Sequence, residues 1–270
     1  MNTSLFICSY ARDFGYLKYA VRSINKFARD FHEVVIQIPD TDWGPFTEII
    51  GPEIMSQREV KYVPLAMKEW PGKGMCHHMW CIMNADRHCR SADFIGHFDS
   101  DAIFTEPVTP ETFIKDGKPF LQYERFESIG KRHPGVLQWQ KNAQACLPFE
   151  IHFETMRGLP HFYELNTYEK ARDLMMLHTK MSVEDWIKQG PNTYPQFFCE
   201  HVTLGNVAIQ CFHQDYELID MGLQDNPDRS RWPVRQAWSH GDIDKPQQVW
   251  VFGKQQTIVP INVFKEYGLV

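Results

Sequence analysis

Residues 94–104 read Phe-Ile-Gly-His-Phe-Asp-Ser-Asp-Ala-Ile-Phe, two carboxylates one residue apart inside an otherwise apolar run. Apolar residues on both sides predict a strand buried on both faces. An extended backbone points residues i and i+2 to the same side, so Asp99 and Asp101 are expected to face one cleft. Two like charges that close repel and are costly to desolvate unless a cation joins them. Hard oxygen donors suit Mg²⁺ or Mn²⁺, which leave positions open for phosphate oxygens. In a surface hairpin the same Asp-Ser-Asp would only stop a strand, but bulky apolar flanks argue against that reading.

A strand buried on both faces needs neighbours, and the chain supplies them by alternation. Ser4 to Ser9 reads as a first strand and Phe14 to Phe27 as a helix with its stripe at Leu17, Ala20, Val21 and Ile24. Glu33 to Ile38 and Val60 to Leu65 read as two further strands. This pattern predicts a mixed, mostly parallel, Rossmann-like α/β sheet flanked by helices. Ligands of such sheets bind at the carboxyl ends of strands. The polar loop Ser9, Tyr10, Arg12 and Asp13, the loop at Asp40, and Asp99-Ser100-Asp101 all fall at such ends. No repeat, low-complexity segment or linker interrupts the 270 residues, so one domain, 1–270, is expected.

Met75 to Arg90 reads as a helix carrying Cys76, His77, His78, Cys81, His88 and Cys89. Their spacing fits no standard zinc pattern, and one straight helix cannot wrap four ligands around a tetrahedral ion. Lys73, between two glycines and ahead of the helix's positive end, could meet a phosphate as readily as solvent. Arg125 to Gly135 is basic and reads as a flexible flap. Seven cysteines, an odd number without regular spacing, read as free thiols of a reducing compartment. Residues 1–8 lack a basic segment and their apolar run is too short for a signal peptide or membrane span, so a cytoplasmic location is expected. A net charge of −6 gives no general basic footprint for nucleic acid.

Taken together, the strand-end Asp-x-Asp about a hundred residues after a first strand resembles the glycosyltransferases of the GT-A fold. The resemblance covers roughly residues 4–107 as an arrangement of elements and implies a nucleotide-sugar-binding half at about 1–107, with an acceptor-binding half at about 108–270. Cys199-Glu200-His201-Val202-Thr203-Leu204-Gly205-Asn206 is similar to a Ser-Glu-x-x-x-x-Gly-Asn/Tyr segment of poorly characterised bacterial and phage glycosyltransferases, with Cys in place of Ser. His240-Gly241-Asp242-Ile243-Asp244-Lys245-Pro246 resembles a His-x-x-Gly-x-x-Lys-Pro stretch of one retaining group, whose His completes the metal site and whose Lys touches the diphosphate. Here the glycine directly follows the histidine and the lysine comes one residue early. His213, with Asp215 behind it, is the rival to His240.

The resemblance implies a metal-dependent transfer of a sugar from a nucleotide sugar, UDP-linked by family habit, with Mn²⁺ or Mg²⁺ held by Asp99, Asp101 and His240. Ser9, Tyr10, Arg12, Asp13, Asp40, Lys73, Ser100 and Lys245 are the expected donor contacts. A carboxylate surrounded by Phe and Leu is an expensive placement unless paired or functional. Glu200 is therefore the expected general base of an inverting reaction, with Asp185 and Glu124 behind it; in a retaining one it would bind the acceptor or sit behind the sugar. Acceptors open to this chain are a glycan, a small molecule or a modified nucleobase. The nearest rivals are a metal-dependent nucleotidyltransferase and a non-catalytic nucleotide- or carbohydrate-binding module. Against the former, residues 9–15 lack a glycine-rich phosphate loop.

Overall fold

The computed structural model describes residues 1–56, 59–193, 196, 198–222, 232–237, 241–251 and 254–270. The chain opens with strand β1 (Thr3–Cys8), a 3₁₀ turn at Ala11–Asp13 and helix α1 (Phe14–Phe27). Strand β2 (Glu33–Pro39) runs through a second 3₁₀ turn, Asp40–Asp42, into helices α2 (Trp43–Ile49) and α3 (Gly51–Met55). Strand β3 (Tyr62–Met67), helix α4 (Gly74–Ile82) and strand β4 (Phe94–His97) complete the expected alternation. β3, β2, β1 and β4 lie side by side in that order, all parallel, and strand β9 (His161–Glu164) closes the sheet antiparallel to β4.

Both faces of this sheet are buried, and the strands divide their side chains by the period of two. Leu5 and Ile7 of β1 join Val34, Ile36 and Ile38 of β2 in a core with Phe14, Leu17, Val21 and Ile24 of α1. Phe6, Val35 and Ile95 point the other way, into a core shared with Met79 and Ile82 of α4. Gly96 of β4 is required by packing, since a Cβ there would lie 2.5 Å from the ring of Phe162 on β9.

Two expected element boundaries need correction. The run 94–104 is not one strand: β4 stops at His97, Asp99 to Asp101 form a turn closed by Ala102 N–H on the carbonyl of Asp99 (3.1 Å), and strand β5 (Ala102–Phe104) begins beyond it. Asp and Ser favour such turns through their short polar side chains. This turn is interior, with Phe98, Ser100 and Asp101 all buried. The helix expected over 75–90 ends at Ile82, where the Asn84 side chain donates to the carbonyl of Trp80 (2.8 Å) and competes with the helical ladder.

The second half adds strands β6 (Ile114–Lys115) and β7 (Lys118–Arg125), then helices α5 (Phe126–Arg132) and α6 (Leu137–Cys146). The stretch read as a basic flap is thus largely α5, which buries Phe126 and Ile129 and pairs Arg132 with Glu124 of β7. Strand β8 (Phe153–Glu154) precedes β9; helices α7 (Leu165–Thr179), α8 (Val183–Gln189) and α9 (Glu200–Phe212) and strand β10 (Glu217–Asp220) follow it. The C-terminal part contains strand β11 (Val234–Gln236), strands β12 (Gln247–Val251) and β13 (Lys254–Ile258), paired antiparallel, and helix α10 (Pro260–Glu266). β11 pairs antiparallel with β5, placing Gln236 opposite Ala102. Among the described residues no helix is long and apolar enough to cross a membrane.

Candidate functional site

Sheet order reverses between β1 and β4: β2 and β3 lie to one side of β1, and β4 was added to the other. At such a switch point the loops leaving adjacent strands diverge and open a crevice at their carboxyl ends. Ser9 to Asp13 leave β1 there, and Asp99 to Asp101 leave β4. The loop after β2 joins them, because Asp42 accepts a hydrogen bond from the backbone N–H of Ala11 (2.7 Å).

Four carboxylates converge in this crevice. The charges of Asp101 and Asp13 both act on Asp99, and that of Asp99 acts on Glu200. One neutral side chain bridges the pair in the turn: Gln236 Nε2 donates to Asp99 Oδ2 (3.2 Å) and Asp101 Oδ1 (3.1 Å). An amide dipole offsets only part of the repulsion between two anions. Burial, then the Asp101 and Asp13 charges, push the Asp99 carboxyl up to about 7. Asp13 is raised too, by burial first, against the opposing pull of the exposed Arg12 guanidinium (Nε to Oδ1 3.5 Å). Buried polar atoms without hydrogen-bond partners line the same place: Ser9 Oγ and Glu200 Oε2. Such atoms cost free energy in a finished interior and are expected where a ligand completes the bonding.

Glu200 is the first residue of α9 and is 2% exposed. Its segment is explained by packing. A Cβ on Gly205 would stand 2.2 Å from Thr155 Oγ1, so only glycine lets α9 lie this close to the strand β8 region. Asn206 then anchors the helix by donating to the carbonyl of Phe153 (2.7 Å). Glycine and asparagine thereby fix where the helix starts, and so where the carboxylate sits. Burial pushes Glu200 up to about 8; its own backbone N–H works against this and the Asp99 charge adds to it. The nearest ring nitrogen, His201 Nε2, lies 3.6 Å from Oε1. His201 is itself held neutral by burial and stands beside His161 (centroids 4.1 Å) and His97 (5.3 Å). The contact is therefore no salt bridge at neutral pH.

The remaining sequence-named residues divide. Ser9 and Ser100 are buried in the crevice loops. Tyr10 is half-buried and its hydroxyl accepts from Arg12 (2.6 Å); Asp40 is exposed at the end of β2. Lys73 Nζ donates to the carbonyl of Gly190 (2.8 Å) at the end of α8, and Lys245 is exposed and ion-paired with Asp242. Asp185 is exposed in the first turn of α8, where Ser182 is the cap: Ser182 Oγ accepts from the Asp185 N–H (3.0 Å) and its hydroxyl donates to Asp185 Oδ2 (2.7 Å). Glu124 is committed to Arg132. His213 is exposed just past the far end of α9, about 20 Å from Glu200 along a 13-residue helix, which removes it as rival metal ligand. His240 lies outside the described residues. The segment after His240 does reach the crevice, since Tyr16 donates to the carbonyl of Gly241 (2.7 Å), accepts from Gln247 Nε2 (2.7 Å) and feels the charges of Asp101 and Asp13. Gln236 and Tyr16 were not read from the sequence; a glutamine in a polar stretch and a tyrosine in a helical stripe carry no separate signal.

Among the described residues no three His, Cys, Asp or Glu side chains form a metal-holding group. The oxygen donors Asp99 and Asp101 nonetheless fit Mg²⁺ or Mn²⁺, which commonly take one or two carboxylates and complete their shell with water and phosphate. Compared with known proteins, the chain matches no family model and no curated protein.

Proposed function

We propose that this protein is a divalent-cation-dependent glycosyltransferase of the GT-A type, moving a sugar from a nucleotide sugar to an acceptor hydroxyl. The observation that carries the reading is the convergence of Asp13, Asp99, Asp101 and Glu200 at the β1/β4 switch point, with the Gln236 amide bridging the aspartate pair and unpartnered buried oxygens beside it. Asp99 and Asp101 would hold Mn²⁺ or Mg²⁺, whose charge stabilises the departing nucleoside diphosphate. Loops 9–13 and 40–42 would hold the nucleoside, UDP-linked by the family resemblance. Glu200 takes the acceptor's proton through Oε2, the oxygen without a partner. With its carboxyl near 8, about a tenth is ionised at pH 7, and its basicity suits proton abstraction near neutrality.

A nucleotidyltransferase would use the same carboxylate pair, but the loop after β1 has no glycine-rich phosphate cradle. Incubation with a panel of nucleotide sugars and Mn²⁺, with released nucleoside diphosphate as readout, tests the proposal. Release from one donor, lost in Asp101→Ala, is expected. Release of pyrophosphate from a nucleoside triphosphate instead would establish the rival.

A further inference from the structure

Thr155 and Met156 touch the residues on either side of Glu200. Thr155 Oγ1 donates to the carbonyl of His201 (2.8 Å), and the Cys199 thiol lies 3.9 Å from Met156 Sδ. The residues flanking that pair, Glu154 and Arg157, are joined through Arg157 Nε, and the Met156 N–H donates to the other Glu154 oxygen (2.7 Å). Glu154 stands opposite Glu124 in the β7–β8 ladder, and Glu124 is paired with Arg132 Nη2. Both carboxylates are buried, whereas the Arg157 and Arg132 side chains are 28% and 50% exposed. Arg125, next to Glu124 on β7, is exposed with its guanidinium over the Phe153 ring (5.5 Å). Like charges opposite one another in a ladder are destabilising, and apolar residues in place of a buried ion pair are commonly neutral or better. Stability alone therefore does not account for the two pairs. What they provide is a pair of guanidiniums, each fixed by one nitrogen, whose other N–H groups meet no acceptor among the described residues.

We propose that Arg157, Arg132 and Arg125 bind a phosphate group carried by a small acceptor, beside Glu200. The proposal rests on the reading of Glu200 as the base that faces the acceptor. A planar guanidinium fork matches phosphate oxygens two at a time, and a fork already held in place loses less freedom on binding. Arg22 and Arg172, by contrast, close two nitrogens each on both oxygens of Glu53 and Asp86. Position selects the acceptor rather than the donor: Arg157 follows the two residues that touch Cys199 and His201, whereas Arg12 lies in the loop after β1 beside Asp13. A net charge of −6 disfavours a polyanion, so a small phosphorylated compound fits better than nucleic acid. Bound there, the phosphate anchors the acceptor away from its reacting hydroxyl, which acts on acceptor affinity and leaves the proton transfer to Glu200.

The test is calorimetric titration of the full-length chain with inorganic phosphate at low ionic strength in EDTA, where no cation draws phosphate to Asp99 and Asp101. Saturable binding is expected. Arg157→Gln and Arg125→Gln should each weaken it about tenfold, and Arg90→Gln, at an exposed arginine elsewhere, should leave it unchanged. Arg157→Gln leaves Glu154 buried without its partner, so the double variant Glu154→Gln/Arg157→Gln stands in if the single one does not fold. Arg125→Gln leaves no buried charge behind in either case. Absence of saturable binding would overturn the proposal, as would equal weakening in Arg90→Gln, or a single-stranded oligonucleotide binding more tightly per phosphate than the free ion. This readout needs no sugar transfer, so failure to release nucleoside diphosphate from any nucleotide sugar would count against the glycosyltransferase reading and not against the phosphate site. With transfer established, Arg157→Gln should raise KM for a phosphorylated acceptor about tenfold at unchanged kcat.

Discussion

Glu200→Gln keeps the shape of the side chain and removes its capacity to accept a proton. Removing a general base costs about a hundred- to ten-thousand-fold in rate. The variant should bind Mn²⁺ and nucleotide as the wild type does and transfer sugar at least about a hundredfold more slowly in single-turnover kinetics. Near-normal transfer would leave Glu200 a structural residue. The raised carboxyl also fixes a pH profile: transfer should climb with pH up to about 8 as Glu200 ionises, then level. Asp101→Ala acts on a different step and should abolish cation-dependent donor binding in calorimetry while leaving the circular dichroism spectrum unchanged. Unaltered affinity would remove the Asp99–Asp101 pair from the donor site.

Elements carry these residues, and two can be tested for that role. Gly205→Ala forces α9 away from Thr155, whose hydroxyl is already engaged with the carbonyl of His201 (2.8 Å). Overpacking of this kind costs about 1–3 kcal/mol, so urea denaturation should show that loss, with transfer reduced because Glu200 rides on the displaced helix. Gln236→Ala removes the bridge supplied by β11. The cation-free protein should lose about 1 kcal/mol, as for a partly exposed hydrogen bond to charged groups, and saturating Mn²⁺ should narrow the gap. An equal loss with and without Mn²⁺ would show that the amide and the cation do not share the carboxylates. Legibility also differed by element. The stripe Leu17, Ala20, Val21 and Ile24 repeats at helical spacing and is fully buried, so α1 could be read directly. β11 could not: three half-buried residues without periodicity become a strand only because β5 is there to pair with them. The carboxylate pair was legible by its apolar surroundings, whereas the buried histidines 97, 161 and 201 come together only through the β4–β9 pairing and the seating of α9.

For the whole molecule, buried carboxylates make stability depend on pH in a definite sense. Glu200 is raised from 4.5 to about 8 on folding, and Asp99 from 3.8 to about 7. The folded state then holds protons that the unfolded chain has released, so this contribution is fully present below about pH 4 and is lost as pH rises through 7 to 8. In EDTA the melting temperature should therefore fall between pH 6 and 9, and Glu200→Gln should flatten the slope. Mn²⁺ binds the ionised pair, so it should raise the melting temperature more at pH 8 than at pH 6. A slope of the opposite sign would mean that these groups are solvated in the folded protein.

Gln236 reaches back to Asp101 across 135 residues of chain. During synthesis from the amino end, β1 to β4 can pair and bury their faces long before β11 leaves the ribosome. The Gln236 amide thus joins the carboxylate turn only when most of the protein exists. A nascent chain released short of residue 234 would contain every strand of the central sheet yet lack the amide that bridges its two aspartates.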